Sequence, residues 1–143
     1  PLESVVRRRI EERNLESRVR LTGFVNQTEM PRVLWAGDIL AMCSEKDPHP
    51  LAVSEAMSVG NAIVASDRVG CVGATDAARP GRNALVYRCG DVTGLSARLR
   101  CLAADPALLV GMRKESLDLT ATQDVAVAAR AVAEFLRTAL EAP

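Results

Sequence analysis

Asp47, His49 and Glu55 are the residues of this sequence whose types and spacing could do chemistry together. Asp47 and His49 lie in the stretch Ser44-Glu45-Lys46-Asp47-Pro48-His49-Pro50, which leaves the apolar run 38–43 and feeds an expected helix over 51–59. A helix start offers unpaired backbone N–H groups and the positive end of the dipole, which favours a phosphate near Leu51, Ala52 and Val53. Glu55 falls in the second turn of that helix. There its carboxylate can accept hydrogen bonds from paired sugar hydroxyls, as in ribose recognition by dinucleotide folds. His49 is of the right type for proton transfer, but no residue in the sequence can be named to orient it, and a rigid loop position between two prolines explains it as well.

Other chemistries fit these residues less well. Asp47 and Glu55 could be a glycosidase acid pair, but such carboxyls must face each other across one bond, and Glu55 lies on a helix whose start is expected to face a phosphate. Ser44, Ser54 and Ser66 lack a G-x-S-x-G elbow, and there is one His in the chain. Gly70-Cys71-Val72-Gly73 is neither a dinucleotide fingerprint nor a P-loop. Cys43, Cys71, Cys89 and Cys101 form no CxxC pair, and one His cannot complete a Cys2His2 zinc site. They are expected to be small, buried, reduced residues, which suits a cytoplasmic protein.

Composition sets the outer bounds. With 143 residues the chain suits one domain. With 48% apolar and 25% charged residues it has the make-up of a soluble globular protein. Its 18 basic and 18 acidic side chains cancel, which removes the electrostatic case for nucleic acid or anionic lipid. Phe24, Trp35, Tyr87 and Phe135 are too few for a base-stacking platform. No apolar stretch approaches the ~20 residues of a membrane span, and the first residues do not resemble a signal peptide.

The elements that must position the site follow from pattern. Leu2, Val6 and Ile10 mark a first helix that ends near Asn14, and residues 18–22 alternate as a short strand stopped by Gly23. Asn26 with Glu29 suggests a capping box for a helix that ends at Gly37. Residues 38–43 and 62–65 are apolar without alternation, as in strands buried on both faces. Pro50 suits the first turn of the helix between them, and Gly60 its C′ end. A turn over 80–83 precedes a strand over 84–87. Asp91 caps a helix through Leu102, and Pro106 opens the next. Val125, Ala129, Val132, Leu136 and Leu140 form the stripe of a last amphipathic helix, expected to pack in the core. Strands alternating with helices predict an α/β fold with a parallel sheet. Ligands then bind beyond the carboxyl ends of the strands, in the loops after Leu21, Cys43 and Ala65.

The stretch Ser44-Glu45-Lys46-Asp47-Pro48-His49-Pro50-Leu51-Ala52-Val53-Ser54-Glu55-Ala56-Met57-Ser58-Val59-Gly60-Asn61-Ala62-Ile63-Val64-Ala65-Ser66-Asp67 resembles the signature of group 1 glycosyltransferases, roughly S-x-x-E-x-F-G-L-x-x-x-E-A-M-x-x-G-x-P-V-V-A-S-D. These are retaining, nucleotide-sugar-dependent enzymes of glycosyltransferase family four, with the GT-B fold. Arg18-Val19-Arg20-Leu21-Thr22-Gly23-Phe24-Val25 is similar to the family's base-site strand and turn. Ala36-Gly37-Asp38 and Gly81-Arg82-Asn83-Ala84-Leu85-Val86 with Gly90-Asp91 look like two further segments, in the expected order.

The resemblance implies a Rossmann-like parallel sheet with flanking helices, the C-terminal, donor-binding half of a GT-B enzyme, here a single partial domain over 1–143 without its first strands. It places Asp47 at the catalytic acidic position that contacts the transferred sugar. His49, Pro50, Leu51 and Ala52 fall at the donor sugar and diphosphate, Glu55 at the ribose, and Gly23, Phe24 and Val25 at the nucleobase. It implies no metal and no cofactor beyond a nucleotide-sugar donor, UDP- or GDP-linked.

Asp47 stands where the family has the longer Glu, His49 where it has Phe, and Pro50 where it has Gly, which removes an N–H donor. The implied partners are the nucleotide sugar and an N-terminal acceptor-binding domain of the same parent chain, with no nucleic acid and no transmembrane segment. The expected location is cytoplasmic or peripheral at the cytoplasmic membrane face. The family's Arg/Lys diphosphate grip has no counterpart here, so the 143 residues alone are expected to be inactive in sugar transfer. A sheet without its first strands would expose an apolar edge and favour self-association. A non-catalytic doubly wound nucleotide-binding module and a fragment of a GT-B nucleotide-sugar epimerase are the alternative readings.

Overall fold

A computed structural model describes residues 2–122 and 125–141. The chain separates into two compact units that meet in sequence at Met30 and Pro31.

The first unit contains helix α1 (Glu3–Glu12), whose exposed face carries Arg7–Glu3 and Arg8–Glu12 pairs at 2.8 and 3.6 Å. Pairs at this spacing each add a few tenths of a kcal/mol to a helix. No side chain of α1 is buried; Leu2 and Val6 are exposed and Ile10 is half-buried. The chain leaves the helix through Asn14, at φ +52°, a left-handed conformation that Asn tolerates better than most residues. The strand expected over 18–22 is not formed: residues 16–18 are a turn and 19–26 have no regular structure. Alternating side chains give a strand its faces, but pairing makes it a strand, and no described residue pairs with this segment. Asn26 does cap as expected, its Oδ1 accepting the Glu29 N–H at 3.0 Å ahead of α2 (Met30–Trp35).

The second unit holds a parallel sheet of β1 (Ile39–Met42), β2 (Ala62–Ser66) and β3 (Ala84–Tyr87) in that spatial order. Leu40 pairs with Ile63, and Val64 with Leu85. Between the strands run α3 (Leu51–Ser58), then after β3 come α4 (Val92–Ala104), α5 (Pro106–Thr120) and α6 (Val125–Glu141). Alternate residues of β2 enter two cores. Ile63 and Ala65 pack with Val53, Ala56 and Met57 of α3, and with Leu119. Ala62 and Val64 pack with Tyr87, Leu102 and Met112. All of β2 is buried, as an apolar run between two helical layers should be. β1 is not, contrary to expectation: it has one strand neighbour, and Ala41 is exposed.

Local signals set the helix ends. Pro50 precedes α3, and Gly60 terminates it at φ +80°, where an added Cβ would also lie 3.3 Å from Leu117. Asp91 Oδ1 accepts the Gly94 N–H at 2.8 Å, and Asp105 Oδ1 that of Leu108 at 2.9 Å, with Pro106 opening α5. Buried amides join the layers. Asn61 Nδ2 donates to the Leu34 and Gly37 carbonyls at 3.1 Å each, and Ser116 Oγ donates to Asn61 O at 2.7 Å. Asp38 pairs with Arg113 at 2.5 Å.

Two expectations fail here. Of the α6 stripe, Ala129, Val132, Leu136 and Leu140 do not enter the core but are exposed, as are the helix's other described side chains; the Val125 side chain lies outside the described residues. Of the four thiols, which are all free, only Cys71 is buried; Cys43 and Cys101 are exposed. No helix among the described residues is long and apolar enough to cross a membrane.

Candidate functional site

The loop from β1 to α3 is held by the loop that leaves β2. Asp47 bridges to Val69, and the Gly70 N–H donates to Asp47 O at 2.8 Å. Ser66 Oγ, at the carboxyl end of β2, donates to Ser44 O at 2.6 Å. Gly70 is needed for this closure on contact grounds. A Cβ there would run into the Pro48 carbonyl, whose carbon would lie 2.8 Å away, and backbone cannot move aside as a side-chain tip can.

Within this frame Asp47 is half-buried, and its Oδ1 accepts the His49 N–H at 3.2 Å. The loop thus turns on its own carboxylate, and the second oxygen stays available. His49 is exposed and Pro50 buried. α3 starts without a side-chain cap, and its first internal bond is Val53 N–H to Pro50 O at 3.1 Å. The N–H groups of Leu51 and Ala52 are therefore the ones an anion can take. Leu51 is exposed, while Ala52 and Glu55 are half-buried. Leu51 and Glu55 are four apart and share a helix face, and a helical side chain leans toward the N-terminus, so Glu55 borders the amide end.

The second unit thus gathers Asp47, His49, Pro50, Leu51, Ala52 and Glu55 at one carboxyl edge of the sheet. Gly23, Phe24 and Val25 belong to the first unit. There Gly23 adopts φ +64°, Phe24 is 94% exposed and Val25 is half-buried. Among the described residues no group of three or more His, Cys, Asp or Glu could hold a metal ion.

Sequence reasoning named the loop after Ala65 but none of its working residues. Asp67 Oδ1 accepts the Cys89 N–H at 2.8 Å, and Asp67 N–H donates to Tyr87 O at 2.9 Å, joining the ends of β2 and β3. A Ser-Asp pair directly after a buried strand was the available signal. Beside it the Tyr87 hydroxyl is pushed up to about 12, by burial first and then by the neighbouring Cys43 thiol. Burial also raises the Cys71 thiol, so this residue is held in its unreactive form.

The sequence matches the family described as glycosyl transferases group 1 over residues 1–118. No curated protein matches it significantly. Several solved structures do match. Anabaena HepE in complex with UDP shares 23% identity at a TM-score of 0.80, over 94% of this chain and 36% of that one. Sucrose-phosphate synthase from Thermosynechococcus elongatus shares 20% at 0.79, over 97% and 35%. The C-terminal domain of a group 1 family protein, LpcC, from Francisella tularensis shares 20% at 0.75, over 85% and 62%. The chain spans about a third of the length of the first two. These likenesses show the fold, the Rossmann-like α/β unit of GT-B glycosyltransferases. Together with a family match that begins at the first residue and runs to the last turns of α5, they mean that this chain belongs to the group 1 glycosyl transferases.

Proposed function

We propose that this chain binds the donor of a retaining glycosyltransferase, a nucleoside diphosphate sugar. The observation that carries the reading is the uncapped start of α3 at the carboxyl edge of a parallel sheet, set between Asp47 and Glu55. The diphosphate lies on the Leu51 and Ala52 N–H groups, where the helix dipole favours negative charge. Glu55 accepts from the ribose hydroxyls. The free oxygen of Asp47 accepts from hydroxyls of the transferred sugar, and His49 and Pro50 form the wall beside it. The UDP bound in the Anabaena relative supports a uridine nucleotide as donor.

In the reaction the bond from the anomeric carbon to the diphosphate oxygen breaks, and a bond to the acceptor oxygen forms on the same face. The acceptor proton passes to the departing phosphate. The chain's own part is to hold the donor in one geometry and to stabilise charge as it builds on the diphosphate. The acceptor site, and transfer itself, belong to a longer enzyme in which this chain is the donor half.

Titration with UDP, GDP and ADP, followed by amide NMR, tests the reading. One nucleotide should shift the Leu51 and Ala52 amides, and Glu55→Gln should weaken it about tenfold, the loss of a hydrogen bond to a charged group. Binding that ignores Glu55→Gln, or that shifts neither the Leu51 nor the Ala52 amide, would overturn the assignment.

A further inference from the structure

Next to the donor site, and sharing no residue with it, a groove of about 330 Å³ opens beyond the carboxyl ends of all three strands. It is lined by Glu45 after β1, Asp67 and Arg68 after β2, and Arg88 and Cys89 after β3. That volume is within the range of small-molecule sites, and the ends of parallel strands are where such sites form. Its walls are pinned by backbone. Ser66 Oγ holds Ser44 O at 2.6 Å and accepts from Arg68 N–H at 3.3 Å, while Asp67 Oδ1 holds the Cys89 N–H at 2.8 Å.

The charges in the groove are not used up by the protein. Among the described residues the guanidinium groups of Arg68 and Arg88 have no side-chain partner, whereas Arg82 is paired with Glu115 and Arg113 with Asp38. Two unpaired guanidiniums facing one groove suit a dianion, which each can grip through two N–H bonds. Glu45 and the second oxygen of Asp67 are acceptors without protons to give, so they suit a ligand that also carries hydroxyls. No aromatic ring lines the groove, so nothing there would stack a nucleobase.

We propose that this groove binds a phosphate-bearing sugar, with the phosphate on Arg68 and Arg88 and the hydroxyls on Glu45 and Asp67. The site stands independently of the donor reading, because its residues and its ligand are different.

The test is amide NMR on the 143-residue chain with glucose 6-phosphate, glucose 1-phosphate, glucose and inorganic phosphate as probes. At least one sugar phosphate should shift Glu45, Arg68 and Cys89 and leave Leu51 and Ala52 in place. Inorganic phosphate should bind the same amides about tenfold more weakly, for want of the hydroxyl contacts, and glucose should not bind. Arg68→Gln and Arg88→Gln, both at exposed positions, should each weaken the sugar phosphate about tenfold. No shift with either sugar phosphate, or equal binding by the double variant, would overturn the proposal. Inorganic phosphate binding as tightly as the sugar phosphates would also overturn it, leaving a plain anion site. A parallel UDP titration reads the α3 amides, so failure of one site is not mistaken for failure of the other.

Discussion

In β2 every residue from Ala62 to Ser66 is buried, whereas along α6 every described side chain is exposed, Phe135 at 71% and Leu140 at 86%. Both segments are rich in apolar residues, and α6 has the clearer periodicity in sequence. β2 has a paired strand on either side and a packed cluster on either face. Periodicity decides which residues share a face; burial needs something to cover that face. The same distinction holds within the loops. The loop after β2 has short-range bonds of its own, but what fixes it is contact with the loop after β1.

The largest effect that would sharpen this comparison is expected at Gly70. Gly70→Ala places a methyl against the Pro48 backbone, where neither partner can yield. Overpacking of this kind costs about 3 kcal/mol, and the melting temperature should fall by about 10 °C. UDP binding should weaken as well, since the displaced loop carries Asp47. A variant with wild-type melting and wild-type affinity would show that the two loops are not coupled.

How legible each feature was depended on how local its cause is. The bounds of β3, the Asp91 and Pro106 helix starts and the Gly60 stop depend on residues within one turn, and they stand where pattern put them. The grouping of Asp47 with Glu55 was legible for the same reason, because one short loop and two helical turns connect them. Gly70 was not legible in this way, since its reason is a carbonyl 22 residues earlier in the chain. The strand expected over 18–22 failed because its pattern was present and its partner was not. Cys43 and Cys101 were expected inside by residue type alone, although nothing in the sequence says that β1 is an edge strand or that Cys101 sits on the outer face of α4.

A smaller effect is expected at Tyr87, which lies at the buried end of the comparison. Burial holds its hydroxyl protonated up to about 12, while in the unfolded chain it titrates near ~10. Between those values the folded state keeps a proton that the unfolded state gives up. Its contribution is therefore complete below the lower value, and stability falls as pH rises through the window. The chain has one tyrosine, so tyrosinate absorbance reads this group directly. The midpoint should be near 12 in the native protein and return toward 10 in denaturant. Tyr87→Phe should flatten the alkaline loss of stability. A native midpoint near the unfolded one would mean that the sheet end is open to water.

The smallest effect is expected on α6. Phe135→Ser removes a large apolar side chain, but one that is 71% exposed, so no cavity is left and little surface returns to water. The change in stability should stay within about 0.5 kcal/mol, as for surface positions generally, and the melting temperature should be nearly unchanged. Solubility should improve, because an exposed apolar stripe favours association. This variant bears hardest on the contrast with β2. A loss of about 2 kcal/mol, the scale of a core deletion, would mean that the stripe is covered in solution. Repeating the melt across a range of protein concentrations would then distinguish a second copy of the chain, whose contribution rises with concentration, from a fold-back of α6 onto its own unit, whose contribution does not.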